Sequence, residues 1–179
     1  QWSSSAASDV YKRQPYREAS RINIHRDTWG TNLYQQINWW APVSNVEEKN
    51  TMIFYPDYFD VPVKNTTSTW DLNIYLANRK KGDFSYPSAP QLKEDLPSNI
   101  KKIPVTIKPG EILCFSGAHL HSSSKEKSEN TRISFEIRTI CENDLNSSAQ
   151  APNVDCDLQW KFPKIFKKIN DNSPLKITS

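Results

Sequence analysis

The chain has 179 residues, of which 36% are hydrophobic and 11% aromatic, enough for one globular domain with a buried core. Its 23 basic and 20 acidic residues leave a formal charge of +3, a balance that does not indicate binding to nucleic acid or to a membrane surface. No apolar run approaches the roughly 20 residues that a membrane-spanning helix needs. Composition therefore excludes two classes of protein: strongly charged proteins that bind nucleic acid or membrane surfaces, and proteins with a membrane-spanning helix.

The first fourteen residues differ in character from the rest. They have neither the basic-then-apolar order of a signal peptide nor a clear strand pattern. They resemble translated adaptor sequence, so we expect 1–14 to be a non-native leader. The native chain would then begin near Pro15 and lack N-terminal elements, which predicts an N-terminally truncated domain.

Between residues 15 and 140, short apolar segments alternate with turn residues such as Pro109 and Gly110. Many short strands with little helical periodicity indicate an all-β fold, an antiparallel sandwich or jelly roll, and we place the core domain at 15–140. The segment 78–99 is polar, rich in proline and predicted to be a loop, either surface or a lid over a site. Strands are predicted at 19–27, 33–43, 51–55, 101–107, 111–115 and 131–140, with a further candidate at 72–77.

After residue 140 the character changes, and 141–179 is predicted to be a C-terminal extension. Residues 141–157 are polar and predicted to be irregular. Residues 163–169 could form a short basic helix, with Pro163 in its first turn and Ile165, Phe166 and Ile169 on one side. Packing on the outside of the domain is the ordinary interpretation of this helix, and a membrane-surface helix is the alternative.

The chain has three cysteines, Cys114, Cys141 and Cys156, with no CxxC spacing. An odd number of cysteines without a signal peptide favours free thiols in a reducing compartment. The sequence therefore predicts a cytoplasmic protein.

The three histidines of the chain lie at two places. His25 precedes Asp27 by two residues, and on a strand such residues point to one face, so an imidazole and a carboxylate can meet at one point. His119 and His121 form a second pair with the same spacing. One of them would complete two histidines and one carboxylate, the facial set of non-haem Fe(II) oxygenases.

The strand 131–140 carries a polar face made of Arg132, Ser134, Glu136 and Arg138. If His121 starts one strand of a hairpin and Arg132 lies on its partner, a guanidinium comes within reach of the metal site. Arginine is the side chain best suited to bind a carboxylate through two parallel hydrogen bonds, and Ser134 could add a hydroxyl.

Two amides in the strand 33–43 are further candidates. Gln36, Asn38 and Trp40 share one face of this strand, while Gln35, Ile37 and Trp39 share the other. We place Gln36 and Asn38 toward the candidate site, because a buried ligand with carboxylate and carbonyl oxygens needs hydrogen-bond donors. The alternative is a tryptophan-rich strand whose amides lie on the surface.

Several short sequence motifs resemble those of a known superfamily. The H-x-D of His25 and Asp27, the distal histidine and an arginine eleven residues after it resemble the 2-oxoglutarate and Fe(II)-dependent oxygenases, most nearly the phytanoyl-CoA dioxygenase-like branch. The similarity covers about 22–140. The matching segments are His25-Arg-Asp-Thr-Trp29, Gln36-Ile-Asn-Trp-Trp40, Phe115-Ser-Gly-Ala-His-Leu-His-Ser122 and Arg132-Ile-Ser134.

The resemblance implies a double-stranded β-helix, the cupin-like jelly roll, and a dioxygenase using Fe(II), 2-oxoglutarate and O2. It implies His25, Asp27 and His121 as iron ligands and Arg132 as the partner of the distal 2-oxoglutarate carboxylate, assisted by Ser134 and Ser123. The implied reaction hydroxylates a small-molecule substrate while 2-oxoglutarate is converted to succinate and CO2.

Other interpretations of the same residues exist. His119 rivals His121 as third ligand, although only the interval from His121 to Arg132 matches the family. A cupin-like protein could use His25, His119 and His121 to hold Zn or Mn for isomerase or hydrolytic chemistry. An inactive binding module is a third possibility, and each polar residue could also serve structure alone.

Overall fold

The structure is a computed structural model that describes residues 4–13, 22–124, 126, 128–145, 147–161 and 163–176. Eight strands and three helices follow one another along these residues. The strands are β1 (Ser4–Arg13), β2 (Ile37–Pro42), β3 (Met52–Phe54), β4 (Ile103–Pro104), β5 (Leu113–Ser116), β6 (His121–Ser123), β7 (Arg132–Cys141) and β8 (Lys167–Lys168). The helices are α1 (Thr28–Thr31), α2 (Leu72–Lys80) and α3 (Glu142–Leu145), with single 3-10 turns at Pro56–Tyr58 and Pro163–Ile165.

The strands form two antiparallel sheets. One has the order β5-β2-β7-β1-β8 and the other β4-β3-β6. The prediction of a mainly β, antiparallel fold is therefore confirmed. None of the helices in this described part of the chain is long and apolar enough to cross a bilayer.

The long strand β7 lies in the middle of the larger sheet, paired with β2 on one side and β1 on the other. Its buried face is polar: Arg132, Ser134 and Glu136 are buried, whereas Ile133 on the opposite face is 36% exposed. Strands normally bury their apolar face. The inversion in β7 indicates that its inner face borders a site and not only a core.

Apolar packing is divided into three clusters around this arrangement. One contains Trp29 and Leu120, and another contains Trp40 of β2 and Phe115 of β5. The third joins Leu33 and Ile140 to Phe166 and Leu175 from the C-terminal chain. Phe166 and Leu175 are thus packed on the β-domain, while the domain division at residue 140 stays a prediction.

The candidate strand at 72–77 is wrong, because these residues belong to helix α2. The side chain of Asp71 accepts hydrogen bonds from the backbone amides of Asn73 at 2.6 Å and Ile74 at 3.2 Å. A carboxylate in this position satisfies amides that a helix start leaves unpaired, and it favours the helix over the alternation of Leu72, Ile74 and Leu76. No residue of α2 is buried.

The predicted basic helix at 163–169 is also wrong. Only Pro163–Ile165 form a 3-10 turn, after which β8 pairs with β1. Phe166 is fully buried and Ile169 is exposed, so the two do not share a buried helical face. Pairing of Lys167 and Lys168 with the sheet edge replaces helix formation.

The N-terminal region differs from its sequence pattern in two places. Residues 4–13 form β1 along the whole of β7, although 1–14 show no strand pattern. The predicted strand 19–27 is reduced to a single bridge at His25, and 19–21 lie outside the described residues.

The three cysteines are free thiols, in agreement with the sequence prediction.

Candidate metal centre

The candidate ligands are brought together by one isolated backbone bridge. The amide of His25 donates to the carbonyl of His121 at 2.9 Å, and the amide of His121 donates back at 3.0 Å. Residues opposed in such a pair carry side chains that stand close together. The two imidazole rings accordingly lie with their centroids 4.3 Å apart.

Asp27 reaches the same point from a turn. It occupies the N-cap position of α1, but its carboxylate makes no capping hydrogen bond. Oδ1 lies instead 3.4 Å from His25 Nε2, and Oδ2 lies 3.6 Å from His121 Nε2. The three side chains are buried, and one ligand atom of each lies within 4.8 Å of the others.

The tautomers of both histidines are fixed by backbone carbonyls. His25 Nδ1 lies 2.9 Å from the carbonyl of Asn23, and His121 Nδ1 lies 2.9 Å from the carbonyl of His119. A carbonyl only accepts, so each Nδ1 carries a proton, and in a neutral imidazole Nε2 then keeps the lone pair. Two Nε2 atoms and one carboxylate converge, a donor set that fits a divalent transition metal.

The charges of the site favour ligand protonation states that suit a metal. Burial opposes ionisation of Asp27, but Arg138 and the two histidines lower its pKa below the ordinary value, so it is a carboxylate. Burial and the neighbouring His25 lower the pKa of His121 from 6.5 to about 4, so His121 is neutral at neutral pH.

Two further polar side chains hold the carboxylate of Asp27. Asn38 Nδ2 donates to Oδ2, and Arg138 Nη2 lies 3.1 Å from Oδ1. Arg138 also donates from Nε to Glu136 Oε1 at 2.8 Å, so it bridges two carboxylates. Burial and the charge of Asp27 raise the pKa of Glu136, whereas Arg138 opposes that rise.

A cavity next to these ligands lies between the two sheets. The predicted hairpin of His121 and Arg132 is wrong: β6 pairs with β3 in the small sheet, whereas β7 belongs to the large sheet. The two residues nevertheless line one cavity from opposite sheets. Its lining comprises Ile22, His25, Asp27, Trp40, Met52, His121, Ser122, Ser123, Arg132, Glu136 and Arg138.

The other predicted residues take varied places. Arg132 is 4% exposed, with its guanidinium carbon 5.5 Å from the centre of the Trp40 ring. The hydroxyl of Ser134 is buried and has no hydrogen-bond partner among the described residues. Ser123 lines the cavity, and its Oγ accepts from the amide of Ile22 at 3.2 Å.

Gln36, which directly precedes β2, and Asn38 within β2 are both fully buried, so the alternative of surface amides is wrong. Their amides bond to each other at 2.8 Å, and Asn38 continues to Asp27. A contact with a keto acid stays a prediction. His119 lies outside the ligand cluster, with its ring 4.5 Å from Phe59 and 5.6 Å from Phe54.

Sequence reasoning missed the roles of Glu136 and Arg138 beside the ligands. Both share the alternating face of Arg132, and that face was the available signal. The pairing of Arg138 with Asp27 depends on the fold, because nothing in the sequence places residue 27 opposite residue 138. Trp40 was predicted on the inner face but not as a wall of the cavity.

No family model and no curated protein sequence matches the chain. Solved structures match it at the level of the fold. ThoJ, a non-heme monooxygenase in its apo form, gives a TM-score of 0.53 at 14% identity over 78% of this chain and 47% of that chain. EvdO2 from Micromonospora carbonacea var. aurantiaca, complexed with 2-oxoglutarate, gives 0.53 at 10% identity over 77% and 52%.

A third similar structure is SnoK, a non-heme alpha ketoglutarate dependent carbocyclase from nogalamycin biosynthesis. It gives a TM-score of 0.52 at 12% identity over 94% of this chain and 63% of that chain. At such identities the likeness concerns the fold alone. This chain thus has a mainly antiparallel β-fold like that of solved non-heme oxygenases, and it spans 47% to 63% of their length.

Proposed function

We propose that the protein is a non-haem Fe(II) and 2-oxoglutarate-dependent dioxygenase that hydroxylates a small molecule. The observation that carries this proposal is the convergence of His25 Nε2, His121 Nε2 and the Asp27 carboxylate at one buried point beside a cavity. His25, Asp27 and His121 would hold the iron. The resemblance of the sequence to the phytanoyl-CoA dioxygenase-like branch supports the same ligands.

When bound, the iron would supply the oxidising chemistry, by which the substrate, 2-oxoglutarate and O2 give the hydroxylated substrate, succinate and CO2. The protein's own residues bind and orient the keto acid and the substrate, and they exclude water. Arg132 reaches the cavity from β7, and its planar guanidinium suits the distal carboxylate of a keto acid. The indole of Trp40 lies against this guanidinium and shields the contact from solvent.

Ser134 would add a donor beside Arg132. Its buried hydroxyl has no hydrogen-bond partner within the described ranges, and a buried polar group without a partner is costly. A carboxylate oxygen of the keto acid would satisfy it. Ser123, Gln36 and Asn38 remain candidates for the same ligand.

The finer features of the fold belong to this proposal. We infer a double-stranded β-helix with its core at 15–140 and a C-terminal extension at 141–179. The two antiparallel sheets and the likeness to solved non-heme oxygenases support the β-helix. We also propose a cytoplasmic location, because all three cysteines are free thiols.

Anaerobic titration with Fe(II) and then 2-oxoglutarate tests the proposal. A weak visible charge-transfer band is expected for the chelate in the wild-type protein, together with its loss or strong weakening in Arg132→Ala. Arg79→Ala is the matched control, because Arg79 lies on α2 and its guanidinium carbon is 4.5 Å from the centre of the Phe84 ring.

Each failure points to another class of protein. Metal binding without any effect of 2-oxoglutarate would indicate a cupin-like protein with Zn or Mn chemistry. Folded protein that binds no metal would indicate an inactive binding module. Either result would overturn the oxygenase assignment.

A further inference from the structure

Behind the carboxylate of Asp27, four hydrogen bonds run in one direction. The backbone N–H of Leu33 donates to Thr31 Oγ1 at 3.3 Å, and Thr31 Oγ1 donates to Gln36 Oε1 at 3.3 Å. Gln36 Nε2 donates to Asn38 Oδ1 at 2.8 Å, and Asn38 Nδ2 donates to Asp27 Oδ2. This amide relay begins at a backbone amide and ends on a candidate metal ligand.

The direction of the amide relay is set at both ends. A backbone N–H only donates, so Thr31 Oγ1 accepts from Leu33 and keeps its own hydrogen for Gln36. An ionised carboxylate only accepts, so Asn38 must turn its amide nitrogen, and not its oxygen, toward Asp27. Each amide then meets donor with acceptor, and aligned bonds in a buried site strengthen one another.

The surroundings leave the amide relay no room to rearrange. The side chains of Gln36 and Asn38 belong to residues that are 0% exposed. Gly117 packs against Gln36 so closely that an added Cβ would lie 2.8 Å from Gln36 Nε2. Gly117 does not belong to the glycines with positive φ, so space and not backbone conformation calls for glycine here.

We infer that Asn38 is a positioning residue that fixes the rotation of the Asp27 carboxylate toward the two Nε2 atoms, and that Gln36 and Thr31 fix Asn38. A carboxylate held at Oδ2 keeps its orientation without a metal. The side chain therefore loses less conformational entropy when the metal binds. This inference rests on the proposed metal site. It assigns to Asn38 a role in metal binding that needs no contact with the keto acid.

The test is the dissociation constant for Co(II), measured anaerobically without 2-oxoglutarate and accompanied by the visible spectrum of the bound ion. Asn38→Ala should weaken Co(II) binding about 10- to 100-fold, the usual effect of losing a residue that supports a metal ligand. Thr31→Val should weaken it in the same direction by a smaller factor, whereas Thr31→Ser should keep wild-type affinity.

Two more variants separate the amide relay from general packing. Gly117→Ala removes no polar atom but displaces the Gln36 amide, and it should also weaken Co(II) binding. Gln35→Ala is the control, because Gln35 Nε2 bonds to Gln150 Oε1 at 2.9 Å, outside the relay. Gln35→Ala should bind Co(II) as the wild-type protein does.

Thermal unfolding of each metal-free variant shows whether it is folded, and the Thr31 pair decides the question if Asn38→Ala does not fold. Unchanged Co(II) affinity in Asn38→Ala and Thr31→Val would overturn the inference. Weaker 2-oxoglutarate binding at unchanged Co(II) affinity would also overturn it, in favour of a keto-acid contact. Wild-type protein that binds no Co(II) would overturn the proposed function itself.

Discussion

Arg26 and Asp155 form a buried ion pair, with Arg26 Nε 3.1 Å from Asp155 Oδ2. Arg26 stands between the candidate ligands His25 and Asp27 in the sequence, so its anchoring fixes the backbone that carries both. Its two terminal nitrogens donate to backbone carbonyls of four residues, Tyr58, Phe59, Val61 and Ala118. The Arg26–Asp155 pair therefore ties the ligand segment to the C-terminal chain.

Removing one partner of this pair should destabilise the protein strongly. Arg26→Met leaves the buried Asp155 carboxylate without its cation, and loss of one partner from a buried pair costs about 3–5 kcal/mol of unfolding free energy. Urea unfolding measures the change. The matched control is the exposed pair of Lys64 and Glu94, in which Nζ lies 2.7 Å from Oε1. Lys64→Ala should lower the free energy of unfolding by less than about 1 kcal/mol.

A double-mutant cycle distinguishes the pair from simple loss of packing. Asp155→Asn alone should also be destabilising, because Asp155 accepts from Trp29 Nε1 at 2.7 Å as well. The combined variant should lose less stability than the two single losses together. Additive losses would show that Arg26 acts through its backbone contacts and not through Asp155.

Asp27→Ala should abolish metal binding and turnover together. The variant removes the only carboxylate among the three grouped ligand residues of the described chain, and two imidazoles remain. Succinate formation in the presence of Fe(II), 2-oxoglutarate and O2 is the readout of turnover, and Co(II) titration is the readout of metal binding. Asp60→Ala, at an exposed site, is the control. Succinate formation retained by Asp27→Ala would contradict the assigned ligand.

The faces of β2 and β7 could be predicted from the sequence, because side chains on a strand alternate with period two. That rule puts Asn38 on a common face with Trp40, and Arg132 on a common face with Glu136, but it does not determine which face is buried. It also predicts a common face for His25 and Asp27, but for a different reason from the observed one. His25 sits in an isolated bridge and Asp27 in the turn before α1, and the fold brings their side chains together.

The remaining differences come from long-range pairing and from local caps. The sequence of β1 shows no clear strand pattern, and the strand is recognised only from its backbone pairing along β7. The partner of His121 is β3 and not β7, a choice made by the whole sheet topology. In α2 the Asp71 cap determines helix where the apolar alternation indicates strand, so local hydrogen bonding outweighs the pattern.

Arg132 and Arg138 both line the cavity, yet their variants should fail in different ways. Arg132→Ala should weaken the apparent affinity for 2-oxoglutarate by about 10- to 100-fold, the range for losing a charge-assisted contact. Its Co(II) affinity should stay near that of the wild type. Arg138→Ala should change Co(II) affinity, because Arg138 Nη2 lies 3.1 Å from Asp27 Oδ1.

Separate titrations with Co(II) alone and with 2-oxoglutarate at saturating Co(II) resolve the two effects. Arg132→Lys keeps the charge but loses the planar fork, so it should restore only part of the 2-oxoglutarate affinity. The assignment of the two arginines would be reversed if Arg138→Ala alone impaired 2-oxoglutarate binding.

The stability of the metal-free protein should fall as the pH drops below 6.5, through His121. Burial and the nearby His25 lower the pKa of His121 from 6.5 to about 4. The unfolded chain therefore binds a proton at a pH where the folded chain does not, and protonation favours unfolding. The contribution is fully present above pH 6.5 and is lost as the pH falls toward 4. It amounts to about 3 kcal/mol, since one pKa unit corresponds to about 1.4 kcal/mol.

Urea unfolding in the presence of a chelator, at several pH values between 7 and 4.5, measures this dependence. The same series on His121→Gln removes the titrating ring and should give a flatter curve over that interval. His119 contributes in the same direction in both proteins, because burial and Arg26 lower its pKa as well. The difference between the two curves thus belongs to His121. Parallel curves for the two proteins would show that His121 is not held neutral by burial and the nearby His25.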